Sequence, residues 1–143
     1  MMISTKGRYA LRLMIYLGEH NTGDLVSLKE IASRQSISMK YLEMIVSDLH
    51  KGGILISGRG KKGGYRLARD PAECTVGEIL KLTEKSLAPV NCLEGDTVTC
   101  ERADQCLTLP LWKKLDDLID RYLESVTLND LMEGNVPDWK EKE

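Results

Sequence analysis

Apolar residues recur at helical spacing in several separate stretches of this chain, and the breaks between them outline its elements. From Thr5 or Lys6 to about Glu19, Ala10, Leu13, Met14 and Leu17 mark one face of a helix, while Leu11 and Ile15 mark another. A helix apolar on two sides is buried on both, so this one belongs between two other elements or subunits. Ile31 and Ala32 fall in a short second helix, where Ser27 and Glu30 have capping-box spacing. After a break at Gln35–Ser36, Ser38 can cap a third helix whose apolar positions Leu42, Ile45, Val46 and Leu49 share one face. Gly52–Gly53 stops it, because glycine accepts the left-handed conformation at a helix end. Ile54–Leu55–Ile56 and Tyr65–Arg66–Leu67 are strand candidates on either side of a turn built from glycines with Arg59, Lys61 and Lys62. Two short helices meeting at the small Ala32, followed by a basic hairpin, spell a winged helix-turn-helix.

The second half continues the helical pattern with one interruption. Asp70–Pro71 ends the winged unit, since a residue before proline is biased away from helix. Thr75 and Glu78 repeat the capping-box spacing, and Val76, Ile79, Leu80 and Thr83 form the inner face of a short helix. From Lys85 to about Leu107 no period is visible, and about twenty residues without structure of their own inside a compact unit usually serve a function. Pro110 opens the longest helix, which runs to about Ser125. Its Leu111, Trp112, Leu115, Leu118, Ile119, Tyr122 and Val126 make a stripe suited to packing against an equivalent helix. Thr127 with Asp130 predicts a final short helix, and Gly134 to Glu143 reads as a frayed polar tail. The pattern predicts a mainly α fold: residues 1–70 as the winged unit with a two-stranded wing, residues 71–134 as connecting helix, loop and long helix, and 135–143 as tail.

At 143 residues the chain fits one compact unit. No apolar run approaches the ~18 residues of a membrane span. The start leads straight into an amphipathic pattern rather than a signal-peptide core, so a cytoplasmic location with reduced thiols is expected. The net charge of −2 conceals a division: residues 1–70 carry twelve Lys/Arg against six Asp/Glu, and residues 71–143 carry eight against sixteen. A basic half joined to an acidic half can hold nucleic acid on one face and keep the other away from it. Enzyme readings find little support. The glycine-lysine hairpin fails the phosphate-loop spacing, and no HExxH, dinucleotide fingerprint or paired nucleophile and histidine is present.

Three of the four cysteines, Cys92, Cys100 and Cys106, lie in the aperiodic stretch with C-x7-C-x5-C spacing. Soft thiolates on a loop can converge on an iron–sulfur cluster, zinc or copper(I), or they can be three unrelated thiols. Zinc is the weaker metal reading, because no CxxC occurs and His20 and His50 are distant. Cys74, directly before the Thr75 cap, fits packing against Ile79 better than ligation.

Ser4-Thr5-Lys6-Gly7-Arg8-Tyr9-Ala10, Ile37-Ser38 with Tyr41-Leu42-Glu43, and Arg59-Gly60 leading to Gly63-Gly64-Tyr65 carry a resemblance that covers nearly the whole chain. Cys106-Leu107-Thr108, Leu111-Trp112, Thr127-Leu128 and Asp130-Leu131 extend it. In these motifs the chain resembles the Rrf2 family of winged-helix regulators. The resemblance implies a homodimer paired through the long helix, a double-stranded DNA operator as partner, and repression or activation of transcription. It also implies that Cys92, Cys100 and Cys106 hold an iron–sulfur cluster, [2Fe-2S] in preference to [4Fe-4S], that reports iron–sulfur, redox or nitric oxide status. Cluster-free relatives imply the alternative, regulation by thiol oxidation or by a protein partner.

Two departures stand out. Cluster-holding relatives place five residues between the first two cysteines, where this chain has seven. Their fourth ligand is a histidine three residues after the last cysteine, or an acidic residue near the start of the partner's first helix; here those positions are Leu109 and Arg8. Glu94, Asp96, Glu101, Asp104, Cys74 or an exogenous thiol remain as fourth ligands. At the DNA, Ser38 and Tyr41 are expected at phosphates with Lys40 nearby. Glu43 would accept a hydrogen bond from a cytosine amino group, and Arg59, Lys61 and Lys62 would enter the minor groove.

Overall fold

The computed structural model describes residues 3–58, 63–95 and 104–140. In chain order the elements are α1 (Thr5–Glu19), α2 (Leu28–Gln35), α3 (Met39–Lys51), β1 (Leu55–Gly58), β2 (Gly64–Leu67), α4 (Val76–Thr83), α5 (Leu109–Ser125) and α6 (Leu128–Glu133), with single 3-10 turns at Pro71–Glu73 and Asn91–Leu93. A Ser or Thr hydroxyl caps most of the helices: Ser4, Ser27, Ser38, Thr75 and Thr127 each accept a first-turn backbone N–H. Among the described residues, only the Thr127–Asp130 pair completes the reciprocal capping box. The Glu30 carboxylate instead takes the Tyr16 hydroxyl at 2.6 Å, and Glu78 pairs with Arg69, because tertiary partners of better geometry lie within reach. At the end of α3 the left-handed residue is Gly53 (φ 78°), while Gly52 stays right-handed.

β1 and β2 pair antiparallel with Leu55 opposite Leu67 and Gly58 opposite Gly64. Val26 adds a third lane by exchanging two 2.9 Å backbone hydrogen bonds with Tyr65. This lane requires Gly64, since a Cβ there would sit 2.5 Å from the Val26 carbonyl carbon and 2.9 Å from the Ser27 nitrogen.

The main core gathers Ala10, Leu13, Met14 and Leu17 of α1 with Ile31, Leu42, Ile45, Leu49 and Ile54. Cys74, Ile79 and Leu128 from the second half belong to the same cluster, so the winged unit is sealed by residues beyond position 70. A second cluster, Val76, Leu80 and Val126, packs against Tyr122, Leu123 and Leu131. Leu11 touches both clusters, which accounts for the two apolar faces of α1 within one chain.

On α5 the expected stripe divides. Trp112, Ile119 and Tyr122 are half-buried, whereas Leu111, Leu115 and Leu118 remain 56%, 38% and 44% exposed. The segment after Gly134 does not fray along its described part. Tyr122 Oη donates to the Pro137 carbonyl at 2.8 Å, the Trp139 ring meets Tyr122 edge-on, and the Arg121 guanidinium lies 5.2 Å over Trp139. Among the described residues no helix is long and apolar enough to cross a membrane.

Candidate functional site: nucleic-acid interface and cysteine segment

The turn between α2 and α3 passes through Ser36 in the left-handed conformation (φ 54°), an uncommon state for a residue with a Cβ. Arg12 holds it there, donating to the Gln35 carbonyl at 2.6 Å and to its side-chain oxygen at 3.3 Å. Ser38 then caps α3 by accepting the Tyr41 N–H at 3.2 Å. The start of α3 also carries the positive end of the helix dipole and first-turn amides without an intrahelical partner, a combination suited to a phosphate. Arg12 also lies 5.2 Å over the Tyr9 ring, and Tyr9 meets Tyr41 edge-on at 5.7 Å. Thr5, Tyr9, Ser36, Ile37, Ser38 and Tyr41 line a shallow notch in front of α3.

Lys40, Glu43, Met44 and Ser47 occupy one exposed face of α3 at i, i+3, i+4 and i+7. Among the described residues Glu43 forms no ion pair, so its carboxylate is available to a donor from outside. Asp48 is neutralised by Lys6. The wing is fastened to the end of α3 by His50, whose Nε2 lies 3.1 Å from Ser57 Oγ and whose ring meets Tyr65 edge-on. Arg59, Lys61 and Lys62, expected at the wing tip, lie outside the described residues. Tyr9 and Arg12 border this surface without a signal in the sequence that places them there. Their contacts with Tyr41 and Gln35 span more than twenty residues, and no local pattern encodes them.

The cysteines divide by environment. Cys92 is a free, half-buried thiol in the turn Asn91–Leu93. Cys106 sits just ahead of α5 with Sγ 3.3 Å from Thr108 Oγ1. Hydrogen bonds from that hydroxyl and from the Thr108 and Leu109 amides hold the Cys106 thiol below its usual value, favouring thiolate. Cys74 is the opposite case: burial pushes its thiol up to about 11, and it packs in the main core as the sequence pattern implies. Cys100, Asp96 and Glu101 lie outside the described residues, and Glu94 and Asp104 are exposed. Leu109 is buried, and Arg8 donates to Thr5 Oγ1 at 3.0 Å. Among the described residues no three donor side chains converge on a metal position. Two free, half-buried thiols, Cys92 and Cys106, at the ends of one loop segment nevertheless suit sulfur ligation of a soft metal group.

A capped α3 with a polar outer face, a notch at its N-terminus and a two-stranded wing define a winged helix-turn-helix DNA-binding regulator. More narrowly, the chain belongs to the Rrf2 family, described as iron-dependent transcriptional regulator, which matches residues 3–134. It is 37% identical over 136 residues to the HTH-type transcriptional regulator IscR of Vibrio campbellii, covering 94% of this chain and 79% of that protein. Among solved structures it is similar to CymR, the global cysteine regulator of B. subtilis, with TM-score 0.74, 36% identity, and 94% and 98% of the two chains covered. It is also similar to T. potens IscR, with TM-score 0.73, 36% identity, and 94% and 88% covered. Relatives of this kind are transcriptional regulators, a class without enzymatic activity.

Proposed function

We propose that this transcriptional regulator binds its operator as a homodimer and that Cys92, Cys100 and Cys106 hold an iron–sulfur cluster whose state sets operator affinity. The observation that carries the cluster reading is the placement of Cys106, a half-buried free thiol with Sγ 3.3 Å from Thr108 Oγ1 just ahead of α5, at the end of a segment that begins where α4 ends. When bound, such a cluster supplies one-electron chemistry and reactivity toward oxidants or nitric oxide. The chain's own residues do the rest. Ser38, Tyr41 and the open amides of α3 take a phosphate, Lys40 adds charge beside it, and Glu43 accepts from a base edge in the major groove. Arg59, Lys61 and Lys62 carry the wing's charge to the minor groove. Leu111, Leu115 and Leu118 pair α5 with its counterpart in the second copy. Cys92 and Cys106, the two described cysteines of the set, fit this reading, and Cys74 is set apart because its buried thiol resists ionisation.

A second reading keeps the DNA binding and drops the cluster, leaving thiol oxidation or a protein partner as the signal. Leu109, buried where cluster-holding relatives carry a histidine, and the likeness to CymR favour it. Anaerobic purification with iron, sulfide and visible-spectrum analysis separates the two. Brown protein whose operator affinity changes in Cys92→Ala supports the cluster. Colourless, iron-free protein with oxidation-dependent binding supports thiol chemistry.

A further inference from the structure

Glu84 caps the C-terminus of α4 and stands at the threshold of the segment that carries the cysteines. Its Oε1 accepts two hydrogen bonds from one residue, the Ser4 backbone N–H at 2.9 Å and the Ser4 hydroxyl at 2.7 Å. Ser4 Oγ in turn accepts the Gly7 N–H at 3.0 Å and so caps α1. Gly7 has no room for a side chain, since a Cβ there would meet the Glu84 carboxylate and come within 3.2 Å of Leu80 Cδ2. One carboxylate therefore seats the whole N-terminus of α1, where negative charge also suits the helix dipole. The same end of α1 supplies Thr5 and Tyr9 to the notch in front of α3, with Tyr9 against Tyr41.

We infer that Glu84 is a positioning residue that couples the cysteine segment to the recognition helix. The inference rests on reading that segment as the sensor. Charge-assisted hydrogen bonds of this length are lost within about 1 Å of displacement, so the seat is either made or broken rather than stretched. Any rearrangement of residues 85–95 that draws Glu84 from its seat frees Ser4 and shifts Tyr9 and Tyr41 at the phosphate notch. Linkage makes the effect reciprocal: DNA held in the notch must steady the start of the cysteine segment.

Hydrogen–deuterium exchange tests this in the full chain, using a duplex that the protein selects from a random-sequence library. In the wild type the duplex should slow exchange in peptides covering residues 84–95 by about fivefold or more, the lower end of ordinary coupling. Glu84→Gln keeps an oxygen acceptor at the same reach and should retain the slowing. Glu84→Ala should still bind DNA but lose the slowing, and Ser4→Ala, which removes one of the two bonds, should lose part of it. A merely stabilising role would lower the melting temperature and leave this long-range protection intact. Equal slowing in Glu84→Ala and wild type, or none in the wild type, overturns the inference. Iron content of the same wild-type preparation judges the cluster separately: iron-free protein with intact coupling sinks the cluster and upholds Glu84, and iron-loaded protein without coupling does the reverse.

Discussion

Cys74 and Cys106 show one functional group given opposite tasks by its surroundings. Cys106 is surrounded by hydrogen-bond donors at the start of α5, whereas Cys74 is packed among apolar side chains of the main core. For Cys74 the folded thiol titrates near 11, above its ordinary value of 9, so folding favours the protonated form. Its contribution is therefore complete below about pH 9 and lost as pH rises through about 11, on the order of 2 kcal/mol in all. Urea midpoints from pH 8 to 11 should fall more steeply for the wild type than for Cys74→Val, a difference that isolates this thiol from other alkaline titrations. Glu43 poses a question of recognition rather than stability. An exposed carboxylate on the outer face of α3 gains nothing from phosphates, so Glu43→Ala should relax discrimination at a single base position by about 1–3 kcal/mol. Binding to a panel of single-base operator variants reads this directly, and unchanged discrimination at every position would remove Glu43 from the base contacts.

At the scale of elements, the helices and the two strands of the wing follow from local rules, and the lane beside them does not. Each helix begins where a Ser or Thr can cap it or a Pro can open it, and those signals are visible in the chain. The wing depends on a third lane, Val26, separated from β2 by the whole helix-turn-helix. Gly64→Ala should destabilise the protein by about 2 kcal/mol, because the new methyl meets fixed backbone rather than a side chain that can swing aside. A lowered urea midpoint at unchanged slope is the expected record, accompanied by weaker operator binding as the wing loosens. The segment after α6 also escaped local rules. Its composition is polar enough to read as a tail, yet Trp139 and the Pro137 carbonyl find Tyr122 and Arg121 on α5.

For the whole molecule, the division of charge and the exposed leucines of α5 point the same way. The basic half presents α3 and the wing, the acidic half holds the cysteine segment, and an apolar row on α5 is left without cover in the single chain. Two half-sites read at once require two heads held at a set spacing. For the proposed dimer paired through α5, Leu118→Asp should give monomer in sedimentation equilibrium and cost most of the operator affinity, while helical content by circular dichroism stays unchanged. A variant that remains dimeric would place the interface elsewhere.

The chain by itself determined the helix order, the helix-turn-helix, the polar outer face of α3 and the family, because caps, glycines and apolar periods act over a few residues. It also marked the cysteines as a group. Folding alone decided how far the Cys74 thiol is held from ionisation, where Tyr9 and Arg12 stand, and that Glu84 seats the first turn of α1. Those outcomes depend on burial and on partners up to eighty residues away, and desolvation and hydrogen-bond geometry exist only once distant parts of the chain have come together.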